Sequence, residues 1–543
     1  MPHNCSRCGA TCAGIPSVRP APDPEIEALL RTNLPPSEAQ EAFFRETRRT
    51  GKPRLAELEM RIADAQAKLD VLLQERDSLV WNLQRCTDVL NPVRRLPSDV
   101  LCEIFAHSMT GGKNSYSIYP FSGAGTRRKY SIPCQWRLGM VCMNWRHTVL
   151  NYPWLWSMID LTFQLPSQYG NVRANLPTDN HPYLEAGRKL AMHMYRSANH
   201  PLRVRLHGPI PQSLLHILIS ASYRWEHLCL DYYSLKTVDS PLDALVSFQY
   251  ILDERSDRET IYGQLPLLRN VTSLSRLIVD KIYPIVRPGL VIIPWTQICS
   301  VVVTESFPDT DAIALIQLAP KLDTVEFLNV NHSPLDPSRP KPDSAHSISL
   351  KSFSLNVKLP DTVHGASTNY PSTVTVLFDS LTLPALEHFR IDFGGACGLS
   401  ESITRLLRRS QCVLKRLALI GASTDDSEEL IGADEFQNLE EFLIEKLENA
   451  AHLQSVLELL TESAGLPRLR TVEIDASAIV DSIGTCQDAV IQFMESRQVT
   501  NEGCGRLESL TLRTPADFEI SEVNIQRLEA LRSLGTRFYI YRH

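Results

Sequence analysis

Residues 414–419 read Leu-Lys-Arg-Leu-Ala-Leu, with apolar side chains at the first, fourth and sixth positions. Successive stretches with this spacing begin 24 to 38 residues apart, except for one interval of 49 residues after Trp225. Alternating apolar and polar side chains predict short β-strands with one buried face. The spacing occurs ten times, at Trp225, Leu228, Leu230; Leu274, Leu277, Val279; Ile298, Val301, Val303; Leu322, Val325, Phe327; Leu350, Phe353, Leu355; Leu386, Phe389, Ile391; Leu414, Leu417, Leu419; Leu439, Phe442, Ile444; Leu469, Val472, Ile474; and Leu507, Leu510, Leu512.

Apolar residues at helical spacing lie between these predicted strands. Examples are Ile313 and Ile316; Ile403, Leu406 and Leu407; Val456, Leu457 and Leu460; and Val490, Phe493 and Met494. One strand and one helix cannot bury both of their apolar faces, whereas stacked units share a continuous core. Residues 184–543 are therefore predicted to form an α/β solenoid with parallel strands, and they resemble a leucine-rich-repeat arc. The repeats are degenerate, because the usual Asn or Cys at the ninth position is replaced by residues such as Tyr233, Ile282, Ser306 and Lys358.

The solenoid hypothesis also predicts which side chains face a partner. Within each unit the residues between the core positions should be exposed, as at Lys415, Arg416 and Ala418 or Arg470, Thr471 and Glu473. Ala418 and Glu473 are predicted to lie on the concave strand face. No aromatic or arginine cluster marks a contact patch, so the sequence leaves the substrate-binding residues unknown.

Residues 53–92 carry a heptad pattern. The a and d positions are Leu55, Leu58, Ile62, Ala65, Leu69, Leu72, Arg76, Leu79, Leu83, Cys86 and Leu90. Arg76 is the one charged residue in this seam, and Asn91-Pro92 ends the predicted helix. The pattern is typical of a coiled coil that pairs two copies of the chain, and equally of an amphipathic helix that folds back on its own chain.

Residues 1–52 are predicted to be mostly a disordered tail, because the first part is rich in proline and cysteine. Cys5, Cys8 and Cys12, with His3, have the spacing of a partial zinc site. A structural zinc site needs four supported ligands, and the second cysteine pair is missing. We therefore predict no metal site and no cofactor.

Composition excludes several classes of protein. The 543 residues have 43% hydrophobic and 22% charged content, which is ordinary globular composition for several structural units. A formal net charge of -7 argues against nucleic acid as the main partner. The 13 cysteines are too sparse for a disulfide scaffold, and no long apolar run or signal sequence is present, so we expect an intracellular protein without membrane partners.

Residues 93–160 have the sequence pattern of a small helical module. Leu96-Pro97-Ser98-Asp99 precedes an apolar stripe of Val100, Leu101, Ile104 and Phe105. After a loop of about residues 110–133 come Leu138, Val141-Cys142-Met143-Asn144-Trp145-Arg146 and Pro153-Trp154-Leu155-Trp156. The first part predicts one helix with an apolar edge, and the second predicts another helix that ends before Pro153.

These elements, in this order, resemble the F-box. With the heptad helix directly in front of them, the arrangement looks like that of the large F-box families of mushroom-forming fungi. The resemblance implies a module that docks on a Skp-type adaptor of a cullin–RING ubiquitin ligase, while the repeats hold a protein substrate. The adaptor contacts that it implies are Leu96, Pro97, Val100, Leu101, Ile104, Phe105, Leu138, Val141 and Trp145. The loop from Gly111 to Pro133 is longer than in the compact F-box pattern.

Two other classes of function compete with this one. The F-box-like helices would instead cap a scaffold solenoid without a ligase if their apolar strip were buried against the first strand near Leu202, Val204 and Leu206. An enzyme would require a recognisable catalytic motif, and neither a phosphate loop nor a nucleophile elbow nor a zinc-protease helix occurs. We therefore expect a binding protein without catalytic activity.

Overall fold

The computed structural model describes residues 3–4, 11–12, 24–32, 34–109, 134–162, 181–208, 210–231, 238, 240–251, 268, 270–280, 293–305, 309–331, 344–359, 372–461, 466–479, 486–498, 506–516 and 519–542. The chain divides into two compact units, Met1–Pro97 and Ser98–His543. The boundary falls inside the module that was predicted to span residues 93–160. Residues 93–97 therefore belong to the unit that contains the long helix. No helix of the described residues combines the length and the apolar character needed to cross a bilayer.

The first unit is dominated by one long helix. Strands β1 (His3–Asn4) and β2 (Thr11–Cys12) pair antiparallel, and helices α1 (Pro24–Thr32) and α2 (Glu38–Leu90) follow. A 3₁₀ turn, Pro92–Arg95, comes after α2. The side chain of Asn91 accepts a hydrogen bond from the Val93 backbone N–H at 3.0 Å, which confirms that the helix ends at this asparagine.

Helix α2 begins earlier than the heptad pattern predicted. Ser37 and Gln40 form a capping box, in which the Ser37 hydroxyl accepts from the Gln40 backbone N–H and the Gln40 side chain accepts from the Ser37 backbone N–H. Pro53 lies inside the helix, where it costs one backbone hydrogen bond. The prediction that residues 1–52 are mostly a disordered tail is thus wrong for 24–32 and 38–52, which are helical. In 38–52 local capping and ion pairs stabilise a helix that has no apolar seam.

The second unit contains the predicted α/β architecture. Its helices are α3 (Ser98–Met109), α4 (Cys134–Leu138), α5 (Met143–Leu150), α6 (His181–Arg196), α7 (Gln212–Ile219), α8 (Asp309–Leu318), α9 (Thr373–Ser380), α10 (Ser400–Ser410), α11 (Thr424–Ile431), α12 (Ala450–Thr461), α13 (Gln487–Ser496) and α14 (Glu522–Ser533). Short 3₁₀ turns occupy Pro153–Trp156, Ser222–Arg224, Trp295–Gln297 and Asp434–Phe436.

Fourteen strands of the described residues form one sheet in which neighbours in sequence are neighbours in space. All of these strands are parallel. They are β3 (Met158–Thr162), β4 (Leu202–His207), β5 (Trp225–Asp231), β6 (Ser247–Ile251), β7 (Arg276–Val279), β8 (Ser300–Val303), β9 (Thr324–Asn331), β11 (Ser352–Lys358), β13 (His388–Asp392), β14 (Arg416–Ile420), β15 (Glu441–Glu445), β16 (Thr471–Asp475), β17 (Ser509–Thr514) and β18 (Arg537–Arg542). Two short strands, β10 (Ala345–His346) and β12 (Leu381–Thr382), pair separately.

The core of the sheet is formed by the residues that the predicted strand spacing assigned to it. Every first, fourth and sixth residue of the ten predicted units is buried. These residues also share a register, since Phe389, Leu417 and Phe442 are partners on adjacent strands. The helical residues predicted between the strands are buried as well, for example Ile403 and Leu457. The solenoid-like α/β prediction is therefore confirmed at the level of parallel strands stacked with helices.

The sheet contains more units than were predicted. It begins at β3, so the solenoid starts near residue 158 and not at 184. Trp156, Ile159 and Leu161 have the core spacing and are buried, which makes the closing Trp156 of the F-box-like segment the first core residue of the first repeat. The 49-residue interval after Trp225 also contains a unit, formed by Leu245, Phe248 and Tyr250. It was missed because a tyrosine occupies its sixth position.

The prediction that Ala418 is exposed is wrong. Ala418 is 4% exposed, although it lies on the face of the sheet opposite the core. Its register partners are Arg390 and Leu443. Strands in a sheet are ~4.8 Å apart, so these two longer side chains cover a methyl group between them. Glu473, predicted for the same face, is half-buried.

Candidate functional site

Helix α3 divides the predicted adaptor residues between two faces. Leu101 and Phe105 are both 0% exposed, whereas Val100 is 40% and Ile104 is 47% exposed. Leu101 and Phe105, which the resemblance placed among the adaptor contacts, thus present no exposed surface. Residues four apart share one side of a helix, so each pair forms its own stripe. The buried stripe belongs to the core of the module, and the exposed stripe is free to meet a partner.

The F-box-like motif on α5 holds this core together. The rings of Phe105 and Trp145 lie 4.8 Å apart in an edge-to-face arrangement. The Cys142 sulfur accepts a hydrogen bond from the Trp145 backbone N–H at 3.5 Å, so it caps the start of α5. Arg146 Nε donates to the carbonyl oxygen of Gly139 at 2.8 Å. Cysteine, tryptophan and arginine of the motif thus fix the turn between α4 and α5.

This turn presents apolar side chains outward. Val141, a predicted adaptor residue, is 60% exposed. Met140, Met143 and Leu150, which the sequence reasoning missed, are exposed as well. We call Val100, Ile104, Met140, Val141, Met143 and Leu150 the exposed apolar set. Met140 lies at the turn and Met143 begins α5, so they form no helical stripe, and the consecutive apolar residues 140–143 were the available signal. Concentrations of exposed apolar side chains are typical of interaction surfaces.

The remaining predicted adaptor residues do not belong to the exposed apolar set. Leu138 and Trp145 are half-buried. Leu96 is half-buried and Pro97 is exposed, and both belong to the first unit. The loop from Gly111 to Pro133 lies outside the described residues.

A cluster of rings joins the module to the first repeat helix. Trp156 Nε1 donates to the Val149 carbonyl at 2.8 Å, and the Trp156 ring lies 4.8 Å from the ring of His193 on α6. The Arg196 guanidinium lies 4.4 Å from the Trp156 ring centre. Burial lowers the pKa of His193 to about 3, so the imidazole is neutral at physiological pH. We call Trp136, Trp156, His193 and Arg196 the joint.

The face of the sheet opposite the core is the second candidate surface, and we call it the open face. Its third-position residues form one row across the strands β3 to β14. In order they are Met158, Arg203, His227, Ser247, Arg276, Ser300, Thr324, Ser352, His388 and Arg416. This row contains basic, hydroxyl and apolar side chains and no carboxylate. Burial, and after it the positive charge of Arg203, lowers the pKa of His227, while Glu226 opposes the shift.

The other end of the open face is acidic. Arg513 on β17 binds Glu473 and lies 3.6 Å from carboxylate oxygens of both Glu445 and Asp475. Burial raises the pKa of Asp475, but hydrogen bonds from Ser477 and the charge of Arg513 outweigh it, and the pKa lies below its ordinary value. An open pocket of about 760 Å³ is lined by Glu473, Asp475, Ser477, Thr511, Arg513 and Tyr541. One guanidinium thus faces three carboxylates there.

The weak zinc candidates are only partly within the described residues. Cys12 lies in β2 and is the register partner of His3, whereas Cys5 and Cys8 lie outside the described residues. No group of three or more potential metal ligands occurs among the residues that the structure describes.

Comparison with known proteins adds no family assignment. No protein-family model matches the chain, and no curated protein matches it.

Proposed function

We propose that the chain is the substrate-recognition subunit of a cullin–RING ubiquitin ligase. In this proposal the helical module docks on a Skp-type adaptor, and the open face of the solenoid holds a protein target. The chain acts as a receptor and carries out no chemistry of its own. The order of F-box-like motifs, from Leu96-Pro97 to Leu155-Trp156, supports the assignment of the module.

The observation that carries the proposal is the division of helix α3. Leu101 and Phe105 fill the core of the module, and Val100 and Ile104 on the same helix stay outside it. A module of this size loses stability by exposing large apolar side chains, unless a partner covers them. The adaptor contacts that we propose from this unit are therefore the exposed apolar set. Leu96 and Pro97 are proposed separately, from the sequence resemblance alone.

The open face supports the second half of the proposal. Its row of third positions has basic side chains at Arg203 and Arg276, and both are exposed. Its far end has exposed aromatic rings at Tyr539 and Tyr541. Arginine and tyrosine are the residue types that contribute most to protein interfaces. We therefore propose the open face as the surface for the target.

The contacts at the joint favour a second candidate function. Trp156 is both the last residue of the F-box-like segment and the first core residue of the solenoid, so the module covers the end of the first repeat. Terminal repeats need such a cap whether or not a ligase is present. The alternative is a scaffold solenoid whose F-box-like helices only cap it.

Affinity capture of the full chain from cells distinguishes the two functions. A receptor is expected to bring down both a Skp-type adaptor and a cullin. Ile104→Asp combined with Val141→Asp should abolish capture of both, since each change places a charge in the interface and removes no core contact. The Leu96→Ala and Pro97→Ala double variant tests the motif residues of the first unit in the same way.

The matched control is Val413→Asp, which changes an exposed valine of the solenoid. It should leave capture unchanged, and all variants should keep the thermal transition of the wild-type chain. Absence of adaptor and cullin from the wild-type capture, or full capture by the Ile104→Asp and Val141→Asp variant, would contradict the receptor function. The first of these results would favour the scaffold.

A further inference from the structure

The apolar seam of helix α2 is exposed along its whole length. No residue of this 53-residue helix is buried. The seam leucines Leu55, Leu58, Leu69, Leu72, Leu79, Leu83 and Leu90 are 41–66% exposed. A seam of this length loses its contact with water when a second helix with the same heptad repeat lies against it. A second copy of the chain supplies such a helix.

We propose that α2 pairs with α2 of a second copy in an antiparallel coiled coil centred between Leu69 and Leu72. In this arrangement Leu69 lies level with the partner's Leu72. Leu55, Leu58 and Ile62 then meet the partner's Cys86, Leu83 and Leu79, so the whole seam from 55 to 86 is used. The proposal does not rest on the ligase function.

Arg76 decides between the two directions of pairing. In a parallel dimer each a residue faces its own copy, so two Arg76 guanidinium groups would meet in the apolar seam at a cost in repulsion and desolvation. In the antiparallel register Arg76 lies level with the partner's Ala65, the smallest seam residue. The Arg76 guanidinium is already turned to the Asp77 carboxylate, at 2.6 Å, which lies off the seam. Space beside Ala65 allows the alkyl chain of Arg76 to cross the edge of the seam toward that carboxylate.

Charges beside the seam select the same register. Lys68 and Glu75 occupy g positions, which face each other when two helices run antiparallel. The centred register places Lys68 against the partner's Glu75 twice. A shift of one heptad would place Glu75 against Glu75 or Lys68 against Lys68. In a parallel dimer Lys68 would face the partner's Leu73 and Glu75 the partner's Val80, with no ion pair.

Charge exchange on the full chain tests the pairing by sedimentation. Wild type is expected to be a dimer, and Lys68→Glu or Glu75→Lys alone should raise the dimer Kd roughly three- to thirtyfold, because each removes two ion pairs and creates two repulsions. The double variant Lys68→Glu with Glu75→Lys should restore the wild-type Kd. Asp70→Lys is the matched control, since it makes the same kind of charge change off the seam and should leave the Kd unchanged.

Leu69→Glu combined with Leu72→Glu should make the chain monomeric without altering the thermal transition of the second unit. A wild-type chain that stays monomeric at tens of micromolar would overturn the proposal. A double charge variant that is weaker than both single variants would also overturn it.

Cysteine cross-linking tests the direction independently. Under mild oxidation with oxidised glutathione, Leu55→Cys should form a covalent dimer through the partner's Cys86. The same variant with Cys86→Ser should lose that dimer, and peptide mass spectrometry identifies the linked positions. A disulfide between two copies of Cys86 in the wild type, or one between two copies of the introduced Cys at position 55 in the Leu55→Cys and Cys86→Ser variant, would show parallel pairing and refute the antiparallel register. Disulfides through the other exposed cysteines, such as Cys142, are told apart by the linked peptides.

Discussion

Trp136 Nε1 donates a hydrogen bond to His193 Nε2 at 3.3 Å, across 57 residues of sequence. Trp136 lies on α4 of the F-box-like module, and His193 lies on α6, the first helix of the solenoid. The acceptor must be an unprotonated ring nitrogen, so this contact requires neutral His193. Burial lowers the pKa of His193 to about 3 and keeps it in that form, while the nearby charge of Arg196 lowers the pKa further. The attachment of the module to the solenoid therefore depends on an uncharged histidine.

Acid should weaken this attachment. The pKa of His193 is about 3 in the folded chain and near 6.5 in the unfolded chain, so between these values the unfolded state binds a proton that the folded state excludes. The contribution of neutral His193 is complete above pH 6.5 and is lost as the pH falls. Urea unfolding at pH 7 and pH 4.5 should show about 2–3 kcal/mol more acid destabilisation in wild type than in His193→Gln. Equal acid sensitivity of the two proteins would contradict this prediction, and His227 and His452 are the same in both.

Truncation should destabilise the module at the buried stripe of α3 and leave its stability nearly unchanged at the exposed stripe. Phe105→Ala removes a buried ring that packs on Trp145, and should destabilise the module by about 3–5 kcal/mol. Ile104→Ala truncates an exposed side chain and should change stability by less than about 0.5 kcal/mol. Hydrogen exchange of residues 98–109 and 134–150 measures both effects. Similar loss of protection in the two variants would mean that Ile104 also belongs to the core.

A core deletion in the solenoid should spread to neighbouring repeats. Leu417 is buried and has Phe389 and Phe442 as register partners. Leu417→Ala should cost about 2–5 kcal/mol through lost transfer energy and a cavity. Hydrogen exchange should rise first in β13, β14 and β15, because repeats contact mainly their neighbours. Arg416→Ala, at the adjacent exposed position, is the control, and unaltered exchange in β13 and β15 of Leu417→Ala would argue against coupling between repeats.

Arg497 should stabilise the repeats through backbone contacts. Its buried guanidinium donates to the carbonyl oxygens of Leu460, at the end of α12, and of Leu466, at 2.6–3.2 Å. Arg497→Ala would remove these donors from the Leu460 carbonyl at the end of α12, whereas the Leu466 carbonyl would still accept from the Leu469 backbone N–H at 3.2 Å. The change should cost about 2–4 kcal/mol. Arg468→Ala changes an exposed arginine nearby and should be close to neutral. Chemical unfolding of both variants checks the difference, and a neutral Arg497→Ala would show that water replaces the donors.

The solenoid was predictable because its determinant is local and repeated. A first, fourth and sixth apolar residue on each strand specifies which face is buried, and stacking of equivalent units follows from the need to bury both strand and helix. The same reasoning predicted the end of α2 at Asn91. It failed at the beginning of that helix, where Ser37 and Gln40 act through a cap and leave no apolar pattern.

The exposure of individual side chains was decided by the tertiary structure. Val100, Leu101, Ile104 and Phe105 are one apolar stripe in sequence, but only packing of α3 against α4 and α5 determines which two of them are buried. Ala418 has the period of an exposed residue, but its neighbours Arg390 and Leu443 come from the two adjacent strands, β13 and β15. Periodicity specifies the direction of a side chain from its own backbone. Burial also depends on what other segments place beside that side chain, and this is a property of the folded chain alone.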